Sequence, residues 1–316
     1  MKNSNPGVYG KQDPTFDKFQ YQSSFYSPFM NWLLPLLFLM LINHQTYAQK
    51  KIEVYLIGGQ SNATGQGYMA NLSDTMTVDK QVLIFHSGLP HLNSGLPPYS
   101  WQPLHQASES PDRFGPELSF GTALKRLRPT ANIAIIKHAH SGTNLFNDWN
   151  AAKNDEDTLA QGVQYKEFIQ TVNAGLDSLR KRGYHPIIKG MLWQQGESDA
   201  DKGGEVSKNY GQNLKHLISR IRKQLHARNM IFVYGYVYPP PNHGKDIGEV
   251  RQAEHDLDQD AKTSLSTRKA YVVNTNGLSL RANDPNTPYP NDIIHFGTSG
   301  TWMLGLRMAY KMNQHL

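Results

Sequence analysis

The sequence predicts one α/β domain with a mainly parallel sheet and helices on both faces. Three observations carry this. Apolar runs of strand length alternate with segments of helical periodicity from residue 50 onward, no composition break or internal repeat interrupts them, and polar, glycine-bearing turns recur just after the strand-like runs. The first run, residues 52–57 (Ile-Glu-Val-Tyr-Leu-Ile), stops at Gly58-Gly59. Residues 81–85 read as a short second strand, and 89–112, rich in Pro, Ser and Gly, as a long surface loop. A helix is expected over 115–128 and a buried strand over 132–137. Phe168, Ile169, Val172, Leu176 and Leu179 recur at helical spacing within 163–182. A strand follows at 187–193, then a helix marked by Leu214, Leu217, Ile218, Ile221 and Leu225. The next strand, 230–238, is rich in β-branched and aromatic residues and is stopped by Pro239-Pro240-Pro241. Residues 270–273 form the last strand and 297–312 the last helix.

Composition narrows the class. The 316 residues are 38% hydrophobic and 18% charged, which suits a soluble, loop-rich globular chain. The formal charge of +6 invites a search for a nucleic-acid patch. The densest basic run, Lys125-Arg126-Leu127-Arg128, sits at an expected helix C-terminus, where cations complement the dipole, and no nucleic-acid partner is expected. Cysteine is absent, which excludes disulfides, thiolate chemistry and Cys-based zinc or iron–sulfur sites. The apolar run at 32–42 is shorter than the roughly 20 residues a membrane span needs. With Thr46-Tyr47-Ala48-Gln49 behind it, the run reads as a secretory signal cleaved after Ala48, and Met30 offers an alternative start. Residues 1–49 are therefore expected to be an extension carrying a signal peptide, and 50–316 the functional domain, secreted or periplasmic and without stable membrane association.

In sheets of this kind ligands bind beyond the C-terminal strand ends, and the chemically distinctive residues collect there. They are Gly58-Gly59-Gln60-Ser61-Asn62, Ser141-Gly142-Thr143-Asn144, Trp193-Gln194-Gln195-Gly196-Glu197-Ser198-Asp199 and Asp292-Ile293-Ile294-His295-Phe296-Gly297. Ester hydrolysis needs a nucleophile, a base for its proton, a group to orient the base, and donors for the oxyanion. Ser61 on a tight turn suits the first role and His295 the second. Asp292, three residues earlier in the same loop, can reach the other ring nitrogen of His295. The backbone N–H groups of Ser61 and Gly142 and the side-chain amide of Gln195 are the expected oxyanion donors.

The set Gly-Gln-Ser-Asn, Gln-Gly-Glu-Ser-Asp and Asp-x-x-His, in that order, resembles the SGNH-type hydrolases, most of all the sialate O-acetylesterase and acetylxylan esterase branch (carbohydrate esterase family 6). The resemblance spans about residues 52–312. It implies a three-layer α/β/α, flavodoxin-like fold and a serine esterase that deacetylates carbohydrate, such as acetylated xylan or sialic acid. By motif, Ser61 is the nucleophile, Asp292 and His295 complete the triad, and Gln195 stands where the wider superfamily has its asparagine. Gln60, Asn62 and Glu197, from the same motifs, are expected to support the site. No cofactor or metal is expected.

Rival readings attach to the same residues. His138 and His140, two apart at a strand end, face the same way and could bind zinc with Asp292 as third ligand. Glu197 and Asp199 look like a glycosidase carboxylate pair, although a hydrogen-bonding role suits Glu197 better. A glycan-binding module on an inactive hydrolase fold is the non-enzymatic alternative, with Trp101, Trp149 and Trp193 as stacking platforms. Gly65-Gln66-Gly67-Tyr68-Met69-Ala70 matches a dinucleotide-binding pattern in form, but starts too far past its strand and lacks the acidic residue the pattern needs. The Gly-x-Ser-x-Gly elbow of α/β-hydrolases is absent.

Overall fold

The computed structural model describes residues 49–238 and 246–316. The apolar run at 32–42, the expected cleavage position after Ala48 and the triple-proline stop lie outside the described residues. In chain order the elements are β1 (Lys50–Gly59), a single helical turn α1 (Ser61–Thr64), β2 (Gly67–Tyr68), β3 (Leu83–His86), β4 (Gln102–Pro103), β5 (Arg113–Phe114) and α2 (Glu117–Leu127). They continue with β6 (Ile133–Lys137), α3 (Val163–Lys181), β7 (Tyr184–Gln194), α4 (Glu197–Lys202), α5 (Glu205–Lys208) and α6 (Tyr210–Gln224). The last are β8 (Ile231–Gly235), α7 (Ile247–Leu257), β9 (Ala270–Val273) and α8 (Thr298–Gln314).

Seven strands make one sheet in the order β4-β3-β6-β1-β7-β8-β9, parallel throughout except for β4, which runs against β3. Counted in chain order, β6-β1-β7-β8-β9 has the 2-1-3-4-5 arrangement of flavodoxin-like sheets, and β3 extends it beyond β6. Strand alternation separates two cores. Val54 and Leu56 face one side with Met191 and Trp193, covered by Phe168 and Val172 of α3, Leu214 and Ile218 of α6 and Val250 of α7. Tyr55 and Ile57 face the other with Ile135 and Val233, under Leu118 and Leu124 of α2 and Leu304 and Met308 of α8. The fold is the expected α/β sandwich of a mainly parallel sheet between two helical layers.

The differences from expectation are local. β7 begins at Tyr184 rather than 187, because its first residues pair with the start of β1 from Lys50 onward. β8 stops at Gly235, where its partner β9 ends at Val273. Helix α7 lies in the stretch after the triple proline, where the sequence marks no element. Its buried face, Ile247, Val250, Glu254 and Leu257, keeps helical spacing, but the acid at Glu254 breaks the apolar stripe.

Candidate active site

β1 and β7 end level with one another, Gly59 opposite Gln194. The loops after them lie at the point where the strand order reverses, the usual ligand crevice of such sheets. Ser61 is the first residue of α1, so its N–H belongs to the helix-start donors that have no partner within the helix. Its Oγ lies 3.0 Å from Nε2 of His295. On the far side of the ring, Nδ1 of His295 is 2.8 Å from Oδ2 and 3.0 Å from Oδ1 of Asp292.

Asp292 is itself held. Its Oδ1 accepts the backbone N–H groups of His295 (3.1 Å) and Ile294 (3.2 Å), and its Oδ2 accepts Nη1 of Arg281 (3.3 Å). Burial acts to raise its pKa, but the hydrogen bond and charge of His295, helped by the two backbone N–H groups, outweigh burial and hold the carboxyl down to about 2. The 292–295 loop is fixed from below by backbone bonds from Arg281 N–H to His295 O (2.8 Å) and from Ala282 N–H to Asp292 O (3.0 Å).

Asn62 joins the serine turn to the histidine loop. Its Nδ2 donates to Glu197 Oε1 (2.7 Å) and Ile294 O (3.3 Å), and its Oδ1 accepts from Phe296 N–H (2.9 Å). Glu197 is buried, and burial raises its pKa against the lowering pull of the Asn62 bond. The amide oxygen of Gln60 accepts from Ser198 N–H (3.2 Å), Gly196 N–H (3.4 Å) and Gln195 Nε2 (3.2 Å), tying the β1 loop to the β7 loop.

Gln195 departs from its expected place. It has no solvent exposure, and its Nε2 faces three acceptors: Asp199 Oδ2 at 2.5 Å, Thr143 O at 3.2 Å and Gln60 Oε1 at 3.2 Å. A primary amide has two N–H groups, so none remains for an oxyanion, and Gln195 does not line the pocket at Ser61. It is an internal strut between loops. Gly142 does line that pocket, in the left-handed region (φ 73°), with open space where a Cβ would stand. Its N–H has no acceptor among the described residues.

The sequence model for carbohydrate esterases of the sialic acid-specific acetylesterase type matches residues 51–314. The chain belongs to this family. It is accordingly a carboxylic ester hydrolase of the carbohydrate acetylesterase class. No curated protein matches it in sequence. Solved structures share its fold. A protein from Arabidopsis thaliana is 21% identical with a TM-score of 0.62, covering 84% of this chain and 98% of that one. NanS is 15% identical with a TM-score of 0.61, at the same coverage. A carbohydrate acetylesterase from Xanthomonas citri is 16% identical with a TM-score of 0.52, covering 83% of this chain and 56% of that one.

In this carbohydrate esterase the pocket beside Ser61 and His295 has a volume of about 430 Å³. Its walls include residues that no sequence motif singled out: Glu109, Arg113, Arg281 and Tyr289. The Arg281 guanidinium lies 3.7 Å from the ring centre of Tyr289, and its Nε donates to Tyr68 OH at 3.1 Å. Arg113 donates to Gln66 Oε1 (2.9 Å) and pairs with Glu109 (3.5 Å). These side chains come from two stretches, 109–113 and 281–289, far apart in sequence, and no local pattern marks them.

The zinc reading of His138 and His140 fails on geometry. Both ring nitrogens of His138 are engaged, with Ser87 Oγ at 2.8 Å and Gln164 Oε1 at 2.9 Å. His140 stacks on His91 at 3.7 Å, and Asp292 is engaged with His295 and Arg281. Among the described residues no group of three or more His, Asp or Glu is arranged to hold a metal. Trp101, Trp149 and Trp193 are all buried in the core and offer no stacking platform to a sugar.

Proposed function

We propose that this carbohydrate esterase removes acetyl groups from a glycan, acetylated xylan, sialic acid or a relative, through a serine triad and an acyl-enzyme. The observation that carries the reading is the continuous hydrogen-bonded line from Ser61 Oγ through His295 to Asp292, beside a pocket lined by charged and hydroxyl side chains. Ser61 Oγ attacks the acetyl carbonyl while His295 Nε2 takes its proton. The N–H groups of Ser61 and Gly142 receive the oxyanion. Collapse expels the sugar oxygen, which takes the proton back from His295, and water then releases acetate by the same steps. Asp292 holds the imidazole in the required tautomer and supports its positive charge.

A small acyl group is favoured because the pocket is walled by Arg113, Glu109 and Arg281 rather than by an apolar groove. In a groove each added methylene would gain about 0.8 kcal/mol, so a lipase-like enzyme prefers longer chains. Rates on para-nitrophenyl acetate, butyrate and octanoate test this, alongside Ser61→Ala. Turnover should be highest on acetate and should fall by about 10⁶ in the variant. A maximum at octanoate would reject the carbohydrate reading, and an undiminished Ser61→Ala would reject the serine mechanism. The apolar run at 32–42 and the small residues before Gln49 support export of the mature chain. N-terminal sequencing of protein from its native host should find Gln49 first.

A further inference from the structure

The turn α1 that carries Ser61 has four residues, too few to hold itself together, because the first helical turn fixes several dihedrals for a single hydrogen bond. Its carbonyls are tied down by side chains, one from within the turn and two from outside it. Thr64 Oγ1 donates to Ser61 O (2.7 Å), Ser108 Oγ donates to Gly65 O (2.5 Å), and Lys137 Nζ donates to Thr64 O (2.9 Å). Lys137 is the unusual member. It ends β6 fully buried, and its ammonium meets the equally buried Glu117 of α2 at 2.5 Å. Glu117 Oε1 in turn accepts from the N–H groups of Gly115 (2.9 Å) and Ala107 (3.1 Å). The assembly is tight: a Cβ on Gly115 would stand 2.6 Å from Thr64 O, Lys137 Nζ and Glu117 Oε2 alike.

Taking both charges out of water is costly, and a well-packed apolar pair of similar volume is often as stable or more stable. Fold stability therefore gives the pair little rationale, whereas the bond to Thr64 O gives it a specific effect. A cation at the carbonyl end of a helical turn complements its dipole. Fixing that end also fixes the direction of the N–H groups at the other end, where Ser61 sits. Thr64 Oγ1 lies 3.2 Å from Ser141 Oγ on the pocket wall, so a shift of Thr64 reaches the Gly142 side as well.

We propose that the buried Lys137–Glu117 pair is a positioning device for the nucleophile, setting the place of Ser61 Oγ and the Ser61 N–H through the bond from Lys137 to Thr64 O. The proposal rests on Ser61 being the nucleophile. Neither residue touches the reacting atoms.

The test compares wild type, Lys137→Met and the double variant Lys137→Met/Glu117→Leu for Tm, for kcat and KM on para-nitrophenyl acetate, and for the rate at which a fluorophosphonate labels Ser61. The single variant should lose Tm, since it leaves a buried carboxylate unpaired. The double variant should recover only part of that Tm, since the N–H groups of Ala107 and Gly115 and the carbonyl of Thr64 lose their partners, yet keep a kcat on the order of 10²-fold lower, the scale of a misplaced reacting group. KM should barely change, and labelling should slow in parallel with kcat. Glu117→Gln, which keeps shape and a neutral partner, should show the same split at smaller size. A double variant, or a Glu117→Gln protein, that folds and keeps wild-type kcat overturns the proposal and leaves the pair purely structural. A loss carried by KM alone overturns it too. If the phosphonate does not label Ser61 in the wild type, the triad reading fails and this proposal with it. A labelled wild type beside an unimpaired double variant sinks this proposal alone.

Discussion

Asp292 receives more donors than a helix cap would: the His295 ring, two backbone N–H groups and a guanidinium. In the proposed triad, Asn in its place would keep the shape and lose the charge needed to support the imidazolium. We expect Asp292→Asn to lower kcat by about 10⁴ with the fold intact. If the residue were only a cap, kcat would barely change, because Asn caps as well as Asp. Gln195 gives a contrasting prediction. Removing its amide leaves the Thr143 carbonyl and the Asp199 carboxylate each short of a donor, and a buried group left unpaired costs about 1–3 kcal/mol. Gln195→Ala should therefore show a clear fall in Tm. A kcat loss of 10²–10³ at unchanged Tm, the usual cost of a missing oxyanion donor, would return Gln195 to the oxyanion hole.

The loops after β1 and β7 and the loop before α8 meet through side-chain amides. Asn62 spans all three: it sits in the α1 turn after β1, donates to Glu197 after β7 and accepts from Phe296 N–H before α8. Each loop sits at a rigid strand or helix end, but the Ser61–His295 distance depends on how the loops are set against one another. Asn62→Ala strips the donor from Glu197 and the acceptor from Phe296 N–H, both buried. We expect it to lower Tm and also to lower kcat by more than ten-fold, since misalignment of reacting groups by about 1 Å can cost 10²-fold. Circular dichroism melts and initial rates on the same preparation separate the two effects. A variant that loses Tm but keeps kcat would reduce Asn62 to a structural tie.

Buried ionisable groups of both signs run through the whole molecule, and they pull stability in opposite directions with pH. Burial lowers the pKa of His138 to about 3 and of His86 to about 4, and it lowers His105, His140 and His315 too. A lowered imidazole is refused its proton in the folded state. Its contribution to stability is whole above the unfolded value of 6.5 and is lost as pH falls toward the folded value. Asp199 behaves inversely. Burial pushes it up to about 6 against the bonds from Leu145 N–H, Gln195 and Phe146 N–H, so its contribution is whole below its unfolded value of 3.8 and is lost as pH rises through 6. Two melting series test this. The Tm advantage of wild type over His138→Gln should shrink as pH falls from about 6.5 toward 4. The advantage over Asp199→Asn should shrink as pH rises across the same range. Parallel slopes in the two series would contradict the assignment.

What the sequence determined by itself was whatever a few neighbouring residues encode. Strands and long helices showed because burial repeats every two or 3.6 residues along one segment. Ser61, Asp292 and His295 showed because each stands in a short turn at a strand or helix end, where turn chemistry and motif coincide, and the fold brings them within hydrogen-bond reach of one another. Gln195 was found as a residue but not as an orientation, because the direction of an amide is chosen by its acceptors, and Thr143 and Gln60 lie 52 and 135 residues away. The pocket walls of Arg113 and Arg281, the Lys137–Glu117 pair and the acid-bearing face of α7 were likewise beyond local reading. A buried charge or amide is tolerable only where a partner meets it. That meeting is a property of packed tertiary structure, with no period and no spacing to mark it in the chain.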